Sequence, residues 1–224
     1  MKVRTRKGQL RYSLLLWVAA FLIGGLLVPS GPASATTITS VADDFTLTFS
    51  YDLGGGNILS ATEAFDVLTV SSSEMDLKIT LTNTTSPASV GGWVSAIGFN
   101  TNPDGTATML TPGTYFTHLA QNVTFPGFST IDVCVYDGNN CSSASNHSLI
   151  PGVSDTFTIR LTGSFGTTPS LTLDGFTIKD AGNTITGQSY EFGPSTNPVP
   201  EQASLLLMGS GLVGLVAWRR RQVA

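Results

Sequence analysis

Apolar and polar residues alternate in short runs through the middle of the chain, between about residues 36 and 196. A period of two is typical of a β-strand with one buried face. We predict strands in six such runs, which read FTLTFSY, MDLKITLT, WVSAIGF, STIDVCVYD, DTFTIRLTG and SLTLDGFTIKD. The pattern places Trp93, Ile97 and Phe99 on one face of the third run. It also predicts a bulge or bend near Gly175 in the sixth.

Turn-forming residues separate these runs. Glycine, proline, asparagine and aspartate cluster at points such as Gly54-Gly55-Gly56 and Pro151-Gly152. No part of this region shows the 3.6-residue period of a helix. The sequence therefore predicts an all-β domain over residues 36–196, an antiparallel β-sandwich of jelly-roll-like type, with a Greek-key barrel as the alternative.

An apolar stretch without alternation precedes this domain. It reads SLLLWVAAFLIGGLLV, follows five basic residues, and leads into PSGPASA. Ala33 and Ala35 form an A-x-A cleavage site. We predict a signal peptide over residues 1–35 that is cleaved after Ala35, with an uncleaved anchor helix as the alternative.

A second apolar stretch closes the chain. Sixteen apolar or small residues precede a basic cluster, and as a helix they would span about 24 Å, against a hydrocarbon core of about 30 Å. We predict a short transmembrane helix, and its defining positions are Ala203, Leu205, Gly209, Gly211, Gly214 and Trp218. The positive-inside rule places the cluster of Arg219, Arg220 and Arg221 in the cytoplasm as a stop. The tail is then either a permanent anchor or a sorting segment that is removed.

Residues 197–224 resemble the PEP-CTERM sorting signal of Gram-negative bacteria. Val199, Pro200 and Glu201 match its Val-Pro-Glu-Pro motif, with Gln202 in the place of the last proline. A glycine-rich apolar helix and an arginine cluster follow, as in that signal. The resemblance implies an exported protein that an exosortase-type enzyme processes at the inner membrane, in a bacterium that makes exopolysaccharide and biofilm. The segments IDVCVYDGNNC and DTFTIRLTG also resemble the cistern group of PEP-CTERM proteins.

The charge of the central region narrows the range of partners. Residues 36–198 hold three basic and fourteen acidic side chains, a net charge of −11. Such a domain repels phosphate backbones, so nucleic acid is excluded as a partner. Cations and neutral sugars are easier partners. Three loops rich in aspartate, asparagine and glycine, NTNPDGT, YDGNN and KDAGNT, make calcium the one candidate cofactor, and no metal site is assigned.

Cys134 and Cys141 are the only two cysteines. An exported chain meets an oxidising compartment, so we predict a disulfide, which a turn at Asp137 and Gly138 would close across a hairpin tip. The alternatives are a metal site or free thiols, and two cysteines without nearby histidines make a poor zinc site.

No motif for catalysis is present. The chain has no G-x-S-x-G elbow and no phosphate-binding glycine loop with lysine. We interpret His118 as a strand-edge residue and His147 as a loop residue. We expect a non-enzymatic protein of the cell envelope, cell surface or extracellular matrix that binds polysaccharide or neighbouring proteins. A secreted hydrolase with an unrecognised site, and an ice- or carbohydrate-binding surface protein, are the alternatives.

Overall fold

The computed structural model describes residues 35–125, 127–142 and 148–195. The predicted signal peptide apart from Ala35, the sorting segment over residues 197–224, and His147 lie outside the described residues. Within the described ranges, no helix has the length and apolar character needed to cross a membrane.

Strands dominate the described part of the chain, and its one helical element is a 3-10 turn at Ala88–Val90. In chain order the strands are β1 (Thr36–Ile38), β2 (Phe45–Gly54), β3 (Asn57–Val70), β4 (Glu74–Asn83), β5 (Gly91–Asn102), β6 (Thr106–Thr111), β7 (His118–Thr124), β8 (Thr130–Tyr136), β9 (Ser154–Thr162), β10 (Leu171–Asn183) and β11 (Tyr190–Phe192). The all-β prediction is confirmed.

The strands form two antiparallel sheets. One sheet has the order β1-β10-β5-β8-β7, with β11 also paired to β10, and the other has the order β2-β3-β4-β9-β6. Among the described strands, four connections join antiparallel neighbours in the same sheet, which are β2–β3, β3–β4, β7–β8 and β10–β11. The other six connections cross between the sheets. No strand belongs to both sheets in the described residues, in agreement with a sandwich rather than one closed barrel.

A cluster of phenylalanines lies among the aliphatic residues between the two sheets. Phe65 of β3 stacks on Phe45 of β2, with ring centroids 4.4 Å apart. It also makes edge contacts with Phe99 of β5 at 6.1 Å and Phe176 of β10 at 5.7 Å. These rings are contributed by both sheets, so the main core lies between the inner faces, as the period-two pattern requires.

The predicted face of β5 is wrong at one position. Val94, Ile97 and Phe99 belong to the main core, and Trp93 does not. The register between β5 and β10 shifts between the pairs Lys179↔Ala96 and Asp180↔Val94. This irregularity reverses the alternation on β5, and Trp93 instead packs against Gly182, where an added Cβ would lie 2.7 Å from the indole ring.

The bulge predicted in β10 is confirmed. The register between β5 and β10 shifts between Asp174 and Thr177, and Gly175 has a φ of +60°. A Cβ at Gly175 would also collide with the side chain of Asn100, so both the backbone conformation and the close approach favour glycine there.

Residues 190–195 join the two sheets at one side, and we call them the closing segment. Its strand β11 pairs with β10 in one sheet. Pro194 forms a bridge to Phe49, and the backbone N–H of Ser195 donates to the carbonyl of Thr48 at 2.9 Å in the other sheet. The closing segment is the last described part of the chain, and it ends three positions before Pro198.

Candidate functional site: a hydroxyl face on the five-stranded sheet

Four neighbouring strands present hydroxyl side chains on the outer face of the five-stranded sheet. Most of their inward positions are aliphatic or aromatic, so alternation directs the threonines and serines outward. We define the hydroxyl face by two rows of directly opposed residues on β2, β3, β4 and β9, which are Thr48, Thr62, Thr82 and Ser154 in the first row and Thr46, Ala64, Thr80 and Thr156 in the second.

Hydrogen bonds within the rows hold part of the hydroxyl face in place. Thr80 Oγ1 lies 3.0 Å from Thr156 Oγ1, and Thr82 Oγ1 lies 2.7 Å from Ser154 Oγ. Each hydroxyl in such a pair keeps donor or acceptor capacity for a further partner. The arrangement therefore offers a two-row array of polar groups spaced about 4.8 Å apart across the strands and about 6.8 Å along them.

Two ion-pair groups border the hydroxyl face. Lys78 Nζ lies 2.6 Å from Asp66 Oδ2, with both side chains more than two-fifths exposed. Arg160 makes a bidentate pair with Asp76, both bonds at 2.8 Å, and lies 3.0 Å from Glu74. The hydrogen bond from Arg160 holds the pKa of Asp76 below its ordinary value.

Two carboxyl groups inside the sandwich have buried oxygens without a hydrogen-bond partner. Glu63 Oε1 and both carboxyl oxygens of Asp180 are buried and unpaired. Burial raises the pKa of each group to about 8. Asp180 fits beside Gly92, where an added Cβ would lie 2.8 Å from Asp180 Oδ1 and from Leu59 Cδ2. The sequence pattern predicts neither group as a site, although the alternation in β3 places Glu63 on its inward face.

The predicted disulfide is confirmed. Cys134 and Cys141 are joined, with their Cα atoms 6.4 Å apart. They lie in a second, smaller cluster with Ala96, Phe125 and Ile131. Val133 and Val135 point into the main core, so Cys134 between them points to the opposite face of the six-stranded sheet. The bond ties the segment after β8 to this outer face.

The hairpin predicted around the disulfide is wrong. β8 pairs with β5 and β7, which come earlier in the chain, and no described residue after Tyr136 pairs back onto β8. Simple alternation along β8 would also group Ile131 with Val133 and Val135, but Ile131 belongs to the smaller cluster. The pairing of β8 with strands earlier in the chain excludes the hairpin, and local spacing contains no information about those partners.

Replacing both cysteines by alanine is expected to lower the free energy of unfolding by about 2 kcal/mol, the value for closing so short a loop. Urea unfolding of the oxidised protein and the double variant measures the difference. The wild-type protein under reducing conditions is the control and should behave like the variant. An unchanged midpoint in the double variant would contradict the prediction.

The remaining predicted positions do not converge. His118 begins the edge strand β7, as predicted, and its ring stacks on Tyr136 at 5.4 Å. All but the last residue of the segment KDAGNT lie in β10 rather than in a loop, which corrects that prediction. Among the described residues, no three histidine, cysteine, aspartate or glutamate side chains form a group suited to a metal ion. Calcium binding stays a prediction.

Comparison with known proteins bears on the part of the chain outside the described residues. The family model of the PEP-CTERM protein-sorting motif matches residues 198–221. The match includes Val199, Pro200 and Glu201 and extends through Arg221, so the predicted sorting signal is confirmed. In general this motif implies export, processing by an exosortase-type enzyme and a location in the cell envelope or at the surface. No curated protein and no solved structure matches the chain.

Proposed function

We propose that this protein, which carries a PEP-CTERM sorting signal, is a non-catalytic component of the cell surface or extracellular matrix of a Gram-negative bacterium, linked to its exopolysaccharide or biofilm. The observation that carries the proposal is the match at residues 198–221, which begins three positions after Ser195. The hydrogen bonds of Ser195 to Thr48, together with the bridge between Pro194 and Phe49, secure the end of the domain just before that signal.

The proposed layout assigns a role to each end of the chain. A signal peptide over residues 1–35 directs export, and cleavage after Ala35 leaves Thr36 as the first residue of β1. The buried Ile38 in that strand supports this assignment, because the domain uses the residues directly after the cleavage site. In this layout we propose that residues 203–218 cross the membrane and that Arg219, Arg220 and Arg221 stop transfer until an exosortase-type enzyme acts.

The arrangement of polar groups supports a binding role rather than catalysis. The hydroxyl groups are spread over an outer sheet face, and the two carboxyls with strongly raised pKa values lie in the core. We also propose a jelly-roll-type fold. The support for it is the order β1-β10-β5-β8 in one sheet and β4-β9-β6 in the other, with crossing connections between them.

The intact mass of the protein isolated from its native cells tests the sorting proposal. We expect a chain that begins at Thr36, ends before Ala203 and is two hydrogens lighter than its sequence. Replacing Pro200 and Glu201 by alanine is expected to leave the tail attached, because the processing enzyme must read the motif.

Asn197→Ala is the matched control, since Asn197 lies just outside the matched residues, and its tail should be removed normally. A wild-type mass that still includes residues 203–224 would overturn processing and make the tail a permanent anchor. Unchanged biofilm and surface properties after loss of the gene would contradict the matrix role.

A further inference from the structure

We propose that the hydroxyl face is a binding surface for an uncharged polysaccharide chain. This inference rests on the proposed function and deepens it, because it names both the surface and the chemical class of the partner. Sugar rings present hydroxyl groups that donate and accept hydrogen bonds, and the threonine and serine side chains of the face do the same. A neutral glycan is therefore a chemical match for the two rows.

The dimensions of the hydroxyl face suit a short segment of a polysaccharide. Each row crosses four strands, which gives a length of about 14 Å at the usual strand spacing. The second row runs parallel at about 7 Å, two residues further along the strands. Thr46, Thr48 and Thr156 are exposed, so the groups at both ends of the rows are accessible to a partner.

The charge of the domain selects against acidic polysaccharides. The described residues hold three basic side chains, and each has a carboxylate oxygen within 3.0 Å. Fourteen acidic side chains in the same residues give a net charge of −11. A polymer of uronate or sulfate groups would meet repulsion and would have to displace an existing ion pair. The rows themselves contain no charged residue, so an uncharged chain meets neither obstacle.

The irregularity of the sheet favours a flexible chain over a crystalline surface such as ice. Ala64 interrupts the second row, and register shifts beyond the rows, after Val67 in β3 and after Met109 in β6, limit how far a regular surface extends. Strands in a sheet also twist relative to one another, by roughly 20° to 25° per pair. A polysaccharide can follow such a twisted surface one sugar at a time, whereas a rigid lattice plane requires a flat one.

Affinity electrophoresis of the protein, purified as its native cells produce it, tests the inference. The probes are hydroxyethyl cellulose, which is uncharged, and alginate, which is a uronate polymer. We expect retardation by the first and none by the second at low salt. The triple variant Thr48→Val, Thr62→Val and Thr82→Val keeps the side-chain shape and removes three hydroxyls. Its dissociation constant should rise at least about tenfold, the sum of several neutral hydrogen bonds.

The double variant Thr37→Val and Thr172→Val is the matched control. These two residues form a similar hydroxyl pair, 2.9 Å apart, on the other sheet, and binding should be unchanged. Equal retardation by alginate would overturn the charge class, and retardation that survives the triple variant would overturn the surface. Adsorption to ice in place of glycan binding, or no retardation by either polymer, would also overturn the inference. In each case the intact mass also reports whether the tail was removed. If it was, the sorting proposal holds even where the binding proposal fails.

Discussion

Replacing Glu63 by leucine is expected to raise the free energy of unfolding by about 3 kcal/mol at pH 7. Glu63 is 1% exposed, lies directly opposite Leu47 and Leu81, and has one carboxyl oxygen without a partner. An ordinary carboxyl must take up a proton to enter such a site. That step costs about 1.4 kcal/mol for each pH unit above its pKa in the unfolded chain. Leucine fits among the same neighbours and needs no proton.

The effect depends on pH in a defined direction. Burial raises the pKa of Glu63 from 4.5 to about 8, so between these values the folded protein binds a proton that the unfolded chain releases. Stability of the wild-type protein therefore falls as the pH rises through this range and levels off above it. The advantage of the leucine variant should be smallest near pH 5 and grow up to pH 8. Burial raises the pKa of Asp180 in the same direction, and Asp180 is present in both proteins. The stability of the leucine variant should therefore still fall with rising pH, but less steeply than that of the wild-type protein.

Urea unfolding at pH 5, 6, 7 and 8 measures both proteins. Asp104→Asn is the matched control, because it also removes a carboxylate but at an exposed turn, and its stability should follow the wild-type curve. A gain from the leucine variant that is the same at every pH would show that Glu63 does not titrate with folding. A loss of stability would show that the carboxyl has a partner in solution.

Local alternation predicts the strands and their buried faces wherever the ladder is regular. Phe45, Leu47 and Phe49 in β2 point inward as predicted, and so do the inward positions of β4 and β9. The prediction fails at Trp93, because the irregularity in β5 arises from its pairing with β10, some eighty residues later. A single-strand pattern contains no information about that partner.

The hydroxyl face shows a different limit. The threonines of β2 and β4 can each be assigned to an outward face from the sequence. Their alignment into rows depends on the strand order β2-β3-β4-β9, in which β9 follows β4 in space but not in the chain. The burial of Glu63 can be predicted from the sequence, because alternation in β3 places this charged residue at a position that is otherwise apolar.

Replacing Lys179 by methionine is expected to lower the free energy of unfolding by about 3 to 5 kcal/mol. Lys179 Nζ lies 2.6 Å from Glu191 Oε1, and the two side chains are only 5% and 15% exposed. Without the ammonium group, the Glu191 carboxylate is left with no countercharge in a site that water barely reaches. Glu191 lies in β11, so the loss should also weaken the attachment of the closing segment to β10.

Lys78→Met is the matched control for this prediction. The Lys78–Asp66 pair has the same 2.6 Å separation, but its side chains are 42% and 43% exposed. Water solvates either partner there, and such pairs contribute about 0 to 1 kcal/mol. In thermal and urea unfolding, Lys179→Met should therefore lose several times more unfolding free energy than Lys78→Met. Equal losses would mean that burial does not set the strength of these ion pairs.

The double variant Lys179→Met with Glu191→Leu separates the two contributions to that loss. It removes both charges and leaves no uncompensated carboxylate, so most of the stability lost in the single variant should return. Hydrogen exchange at the backbone of β11 should then recover as well, because the closing segment keeps its ladder bonds to β10 and the bond of Ser195 to Thr48. A double variant as unstable as the single one would show that the ion pair itself, rather than the penalty of an unpaired charge, holds the closing segment in place.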